Sequence, residues 1–207
     1  MYKHRLSKFY RSQKVSAQST IIANLLLLIF AVLFLTVCAK ADSAADYYKW
    51  SELADVPPPP QKQVQPGLAG AYTGNHNGVM ILAGGANFPE KMPWDGGSKV
   101  WHDDIYILRQ ENGKFLWLDK TFKLPKPLAY GVSVSTENGI VCIGGCDANQ
   151  AYADCFIIKW NAEENNVEIE QLPPLPRPLA FMAGDMTNDK IFVAGGQKNM
   201  KNPVATK

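Results

Sequence analysis

One stretch constrains this chain more than any other: Leu124 to Gly145, LPKPLAYGVSVSTENGIVCIGG. It recurs at a period of 51 residues as Leu175 to Gly196, LPRPLAFMAGDMTNDKIFVAGG. A looser copy, PGLAGAYTGNHNGVMILAGG, runs from Pro66 to Gly85, and its Leu68-Ala69 step precedes Leu128-Ala129 by 60 residues. Each copy reads as a Pro-rich lead-in, an apolar strand, a polar turn, a second apolar strand and a Gly-Gly pair. A unit of roughly 50 residues built only from strands points to a propeller blade. Such a blade is a four-stranded twisted sheet that cannot bury both faces alone, so it stacks on its neighbours around an axis.

The pattern predicts a first full blade with strands at Leu68–Thr73, Val79–Ala83, Asp104–Leu108 and Phe115–Asp119, and a long loop from Ala86 to His102 between the second and third. A second blade uses Ala129–Ser135, Ile140–Ile143, Cys155–Lys159 and Val167–Gln171. A third begins with Ala180–Met186 and Ile191–Ala194. Upstream, Tyr47 to Leu53 (YYKWSEL) reads by aromatic content as the last strand of a preceding blade, followed by prolines from Pro57 to Pro60. Tyr106, Trp117, Phe156 and Trp160 are placed to fill the layers between sheets. The expected fold is all-β: a partial propeller with about two complete blades and parts of two others, where a closed ring needs at least about four. Open edges on such a partial ring favour pairing with another chain, so self-association is expected.

Ahead of the repeats the composition changes. Residues 1–20 form a basic segment, with Lys3, His4, Arg5, Lys8, Arg11 and Lys14 crowded together. Ile21 to Ala39 is apolar and uncharged, long enough to cross a bilayer as a helix. It also suits the apolar region of an export signal, and Ala39-Lys40-Ala41 provides the small residues that signal peptidase requires. Leu35-Thr36-Val37-Cys38 gives only a faint lipoprotein pattern, with a poor Val before the Cys. The reading is therefore a signal peptide or transmembrane anchor over 21–41 and a propeller domain over 42–207. Either alternative puts the propeller outside the cytoplasm, periplasmic or anchored in the inner membrane, with the basic N-terminus inside.

The formal net charge of +2 excludes a strongly electrostatic nucleic-acid binder. Of the four cysteines, Cys38 lies in the apolar leader and leaves Cys142, Cys146 and Cys155. An odd number makes no complete disulfide framework. Cys146 and Cys155 either bridge neighbouring strands or, with Cys142, are small buried thiols. No His lies near them in sequence, which argues against a zinc site.

The Gly-Gly doublets and the aromatics downstream resemble kelch repeats. The first blade is more specific: GLAGAYTG, ILAGGANFP, KMPWDGG and KVWHDDIYIL resemble the N-acetylneuraminate epimerase (sialic acid mutarotase) family, as do KPLAYGVSV and RPLAFMAG. The resemblance covers roughly Tyr47 to Gln197, and the order of elements is similar to a cyclically permuted branch of that family. It implies a kelch-type propeller of exported bacterial proteins that interconverts the α and β anomers of N-acetylneuraminate. It implies no metal and no organic cofactor. Ring opening needs a base for the anomeric hydroxyl, an acid for the ring oxygen and a cation for the sugar carboxylate.

Five residues are candidate substrate contacts. Arg177 precedes the inner strand of the third blade, where kelch proteins often point an Arg into the channel, and Lys126 is its counterpart one blade earlier. Asn87 follows Gly84-Gly85 at the start of a loop, and Gln197 follows Gly195-Gly196. Tyr130 offers a hydroxyl. His102 beside Asp103 and Asp104 reads as a structural hydrogen-bond cluster, and Trp94 to Gly97 as a loop cover. These blades supply no convincing general acid. Three functions stay open: a sialic acid isomerase, a membrane-held kelch-type binding module without catalysis, or an inactive fragment.

Overall fold

The structure is a computed structural model that describes Ile22, Leu25, Leu28, residues 48–59 and residues 62–198. The chain divides into two units, Met1–Glu52 and Leu53–Lys207. In the first, Ile22, Leu25 and Leu28 are helical and exposed. Among the described residues no helix is long and apolar enough to cross a membrane. The remainder of the apolar leader, and Cys38, lie outside the described residues.

The second unit is built from strands and is a partial kelch-type propeller. The first sheet holds β1 (Tyr72–His76), β2 (Val79–Ala83), β5 (Asp104–Glu111) and β6 (Lys114–Trp117) in that order, with β7 (Phe122–Lys123) also pairing β5. The long loop carries β3 (Ala86–Asn87) and β4 (Val100–Trp101), which pair with each other. The second sheet is an antiparallel meander of β8 (Val132–Thr136), β9 (Gly139–Ile143), β10 (Cys155–Asn161) and β11 (Asn166–Leu172). β12 (Ala180–Thr187) and β13 (Lys190–Gln197) form a third, two-stranded sheet.

The alternation of apolar residues along each strand explains the stacking. Ile81, Ile105 and Ile107 of the first sheet meet Ile140, Cys142, Phe156 and Ile158 of the second in one buried cluster. A second cluster joins Val132, Val134, Ile143 and Cys155 to Met182, Ile191 and Val193 of the third sheet. The blade faces are also stitched by polar groups. Thr73 and Asn75 donate their backbone N–H to Ser133 Oγ and Ser135 Oγ, at 3.0 and 2.8 Å. Tyr72 and Phe156 meet edge to face with centroids 5.7 Å apart. Tyr106, Phe156 and Trp160 are buried, as expected, and Trp117 packs on Tyr106.

Two sequence expectations need correction, and one open alternative closes. Residues 48–53 form no strand, and Trp50 is 95% exposed. Aromatic content supports a strand only where a neighbour completes the ladder. Instead the chain beyond Leu53 lies along the outer face of the first sheet: Trp117 Nε1 donates to Ala54 O, and Gln65 Nε2 to the Tyr106 hydroxyl. Of the two cysteine alternatives, the buried-thiol one holds: Cys142, Cys146 and Cys155 are free and buried, and no Cys146–Cys155 bridge forms.

The second correction is that the innermost strands of the first two blades begin later than expected, at Tyr72 and Val132, whereas β12 begins at Ala180 as expected and leaves Phe181 out of its pairing. Gly70, Tyr130 and Phe181 hold matching places and have φ of 65°, 62° and 59°. This conformation turns a backbone N–H out of its own sheet. Tyr130 N–H then donates to Gly70 O and Phe181 N–H to Tyr130 O, each at 2.7 Å, so the three blades are linked through their inner edges. Only glycine adopts this φ freely, and a bulky aromatic there stores roughly 1–3 kcal/mol of strain.

Candidate functional site

The strained inner edge borders a cavity of about 420 Å³, lined by Gly67, Leu68, Ala86, Asn87, Lys99 and Tyr130 among others. Its walls come from the lead-in to β1, the residues after the Gly84-Gly85 pair and the arms of the β3–β4 hairpin. The left-handed turn at Tyr130 brings its ring onto Gly70, where any side chain would overlap it. The other side of the ring system extends to Phe181, stacked at 4.6 Å between centroids with an interplanar angle of 26°.

Lys99 is the cation of this cavity. β3 and β4 pair Asn87 with Val100 and Ala86 with Trp101, which sets Lys99 opposite Phe88. Its Nζ lies 4.5 Å from the centre of the Tyr130 ring, 5.5 Å from Trp101 and 5.8 Å from Phe88, within cation–π range of all three. Among the described residues no carboxylate forms an ion pair with it. Lys99 is not among the five residues that the sequence marks as substrate contacts. The signal that points to it is the hairpin register within a stretch that reads as plain loop.

Asn87 is 8% exposed, and its amide is committed to the protein. Nδ2 donates to Gly67 O at 2.9 Å and to Gln65 Oε1 at 3.2 Å, while Oδ1 faces His102 Nε2 at 2.8 Å. Gly67 O can only accept, which fixes the amide orientation and makes His102 Nε2 the donor. Burial depresses the pKa of His102 against the opposing pull of Asp104 and Asp103, favouring the neutral ring with its proton on Nε2. Asn87 therefore braces the cavity wall. Asp103 and Asp104 both pair with Lys123, at 2.7 and 2.8 Å.

The next blade repeats this construction with different chemistry. His102 N–H donates to Gly85 O and accepts Leu128 N–H at its carbonyl; Tyr152 makes the same two bonds with Gly145 O and Leu179 N–H. Where His102 meets Asn87, the Tyr152 hydroxyl donates to Asp147 Oδ2 at 2.7 Å. Burial alone would raise the Asp147 carboxyl, but donation from Tyr152 and from the Asn149 and Gln150 amides holds it below its ordinary range. Cys146, beside this pair, is pushed up to about 11 by burial, so the thiol stays protonated. Among the described residues no cluster of His, Cys, Asp and Glu can hold a metal ion.

Of the five candidates, the structure gathers Asn87 and Tyr130 at one cavity. Lys126 is elsewhere, ion-paired to Asp154 at 2.5 Å and lying 3.9 Å above the Tyr152 ring. Arg177 is exposed and lines a different cavity of about 480 Å³ with Leu175, Leu179 and Val193. Gln197 pairs with Ala180, the register place held by Ala86 and Cys146 in the other blades, one residue short of Asn87. Trp94 of the loop cover sits in a short 3-10 turn, Pro93–Asp95, and is 78% exposed.

Comparison with known proteins bears directly on this face. Residues 35–169, more than half the chain, match the family model of N-acetylneuraminate epimerase. Proteins named N-acetylneuraminate epimerase are 33% identical over 129 residues in Brucella suis, 36% over 130 in Haemophilus influenzae and 38% over 112 in Salmonella enteritidis. These alignments cover 58%, 58% and 50% of this chain but 32%, 33% and 28% of the relatives, so the chain spans about a third of their length. A solved structure described as "Structure of YjhT" is 32% identical, with a TM-score of 0.46, over 59% of this chain and 34% of that one. The family match includes the lead-in to β1, the β3–β4 hairpin and Tyr130, and so the walls of the Lys99 cavity: this chain belongs to the N-acetylneuraminate epimerase family.

Proposed function

We propose that this chain binds a sialic-acid-type sugar at the Lys99–Tyr130 cavity and takes part in interconverting its α and β anomers. One observation carries the reading: in a member of this family, the strained inner edge of the blades opens onto a cavity with an aromatic wall and an unneutralised lysine. An aromatic face suits the apolar C–H surface of a sugar, and a cation suits its carboxylate. In the reaction a base takes the proton of the anomeric hydroxyl while an acid protonates the ring oxygen, and the ring C–O bond breaks to leave an open-chain ketone. Reclosure on the other face of that carbonyl returns both protons and gives the opposite anomer. The balance needs no redox partner.

A second reading, sugar binding without turnover, is favoured by the cavity lining, which contains no Asp, Glu or His among the described residues. Proton NMR of anomer exchange in N-acetylneuraminate separates the two. Exchange faster than buffer supports the isomerase. Ligand line broadening with an exchange rate equal to buffer selects the binding module, and neither effect removes both. We also infer that the binding face lies outside the cytoplasm, reached through residues 21–41 as a signal or an anchor. An alkaline phosphatase fused after Lys207 is active in bacterial cells if this holds and inactive if the domain stays inside. Self-association through open blade edges remains part of the proposal, and sedimentation velocity at two concentrations tests it.

A further inference from the structure

We infer that Lys99 is the residue that reads the negative charge of the ligand, and that the Tyr130, Trp101 and Phe88 rings hold it in place for that task. The inference rests on the sugar-acid reading above and deepens it by naming the recognising group. Three observations converge. The ammonium lies within 4.5, 5.5 and 5.8 Å of three ring centres, which restrict a side chain that otherwise has wide rotamer freedom. It lines the cavity while no described carboxylate neutralises it. The other cations once suited to the role are spent or elsewhere: Lys126 is paired with Asp154, and Arg177 lines a separate cavity.

Lys99 is a partly buried residue whose ammonium stands against apolar rings, and no described carboxylate balances its charge. An incoming monoanion restores that balance more strongly than it would at an open surface, because the walls lower the local dielectric. The ligand class is a small carboxylate-bearing molecule with an apolar or C–H-rich face adjacent to the charge, so that the carboxylate meets Nζ and the face meets Tyr130.

The test uses the full chain and its Lys99→Met and Lys99→Arg variants, checked for unchanged melting. The probes are N-acetylneuraminate, its uncharged methyl ester and acetate, each followed by tryptophan fluorescence and ligand-observed NMR. The expected result is a tenfold or greater loss of acid affinity in Lys99→Met, ester affinity within twofold of the parent, and retention of acid binding within about threefold in Lys99→Arg. Acid binding should also weaken with salt in the parent and lose that dependence in Lys99→Met. Equal acid affinity in parent and Lys99→Met overturns the assignment while leaving the sugar reading intact. Lys99-dependent acetate binding with no response to acid or ester sugar keeps the anion role and discards the sugar. No response to any probe overturns both.

Discussion

The Tyr72 hydroxyl donates to the carbonyl oxygen of Gly144 at 2.5 Å, across 72 residues of sequence. It ties the inner strand of the first blade to the glycine pair that ends the second strand of the next. Burial pushes the Tyr72 pKa far upward, so the phenol stays a donor throughout the accessible pH range. Tyr72→Phe leaves the carbonyl without that partner in a buried place. The expected loss is about 1–3 kcal/mol in urea unfolding, with little change in slope. A variant as stable as the parent removes this bond from the account of blade stacking.

Glycine matters most where a neighbour's backbone passes close. At Gly84, φ is +67° and an added Cβ meets the Leu128 carbonyl oxygen, while at Gly113 φ is +77° and nothing lies within 4 Å. Gly113→Ala should cost about 1–2 kcal/mol from backbone strain alone. Gly84→Ala adds overpacking against a rigid main chain and should lose a further ~1–3 kcal/mol. The comparison is made by thermal melting of the two variants side by side.

His102 gives the protein an acid-sensitive joint. Its folded pKa lies below the ordinary 6.5, so the unfolded chain takes up the proton more readily. The stability associated with the neutral ring is fully present above about pH 6.5 and is lost as pH falls toward the folded value. His102→Gln keeps a donor for Asn87 without titrating. Melting temperature measured from pH 7.5 to 5 should fall less steeply in this variant than in the parent; parallel curves would exclude His102 as the source.

Tyr130 separates strain from binding. Tyr130→Gly relieves roughly 1–2 kcal/mol of left-handed strain and forfeits about 0.5–1.5 kcal/mol of stacking on Phe181. Stability should therefore change little, while affinity for N-acetylneuraminate should drop at least fivefold as the ring over Lys99 disappears. A large stability loss with unaltered affinity would reverse the assignment.

Lys126 serves as the contrast to Lys99. Its ion pair with Asp154 is partly exposed, so Lys126→Met should cost less than about 1 kcal/mol. Sugar binding, followed by the same fluorescence titration, should match the parent.

Much of the fold is legible in the residues. Val79–Ala83 has the expected bounds because a clean apolar run lies between Asn77-Gly78 and Gly84-Gly85, strong turn signals on both sides. The later starts at Tyr72 and Val132 are not legible, since Tyr130 and its neighbours read as an uninterrupted apolar strand while the backbone turns left-handed. Nothing local to tyrosine marks that turn. It is fixed by the amide bond to Gly70 in another blade, a tertiary effect. The site divides the same way. Asn87 and Tyr130 flank recognisable glycine and proline punctuation, whereas Lys99 depends on a hairpin with two-residue arms, too short to print an alternating pattern. The Tyr47–Leu53 reading fails for the opposite reason: local composition suggested a strand that no described neighbour completes.

The amide links from Phe181 to Tyr130 and from Tyr130 to Gly70 all point the same way from blade to blade. The N–H and C=O groups that form them are taken up between blades, unlike the open N–H groups at the start of a helix. Main-chain groups here are spent on holding the sheets together and contribute little attraction for an anion. Selectivity for charge is thus delegated to individual side chains, which can be exchanged without disturbing the scaffold.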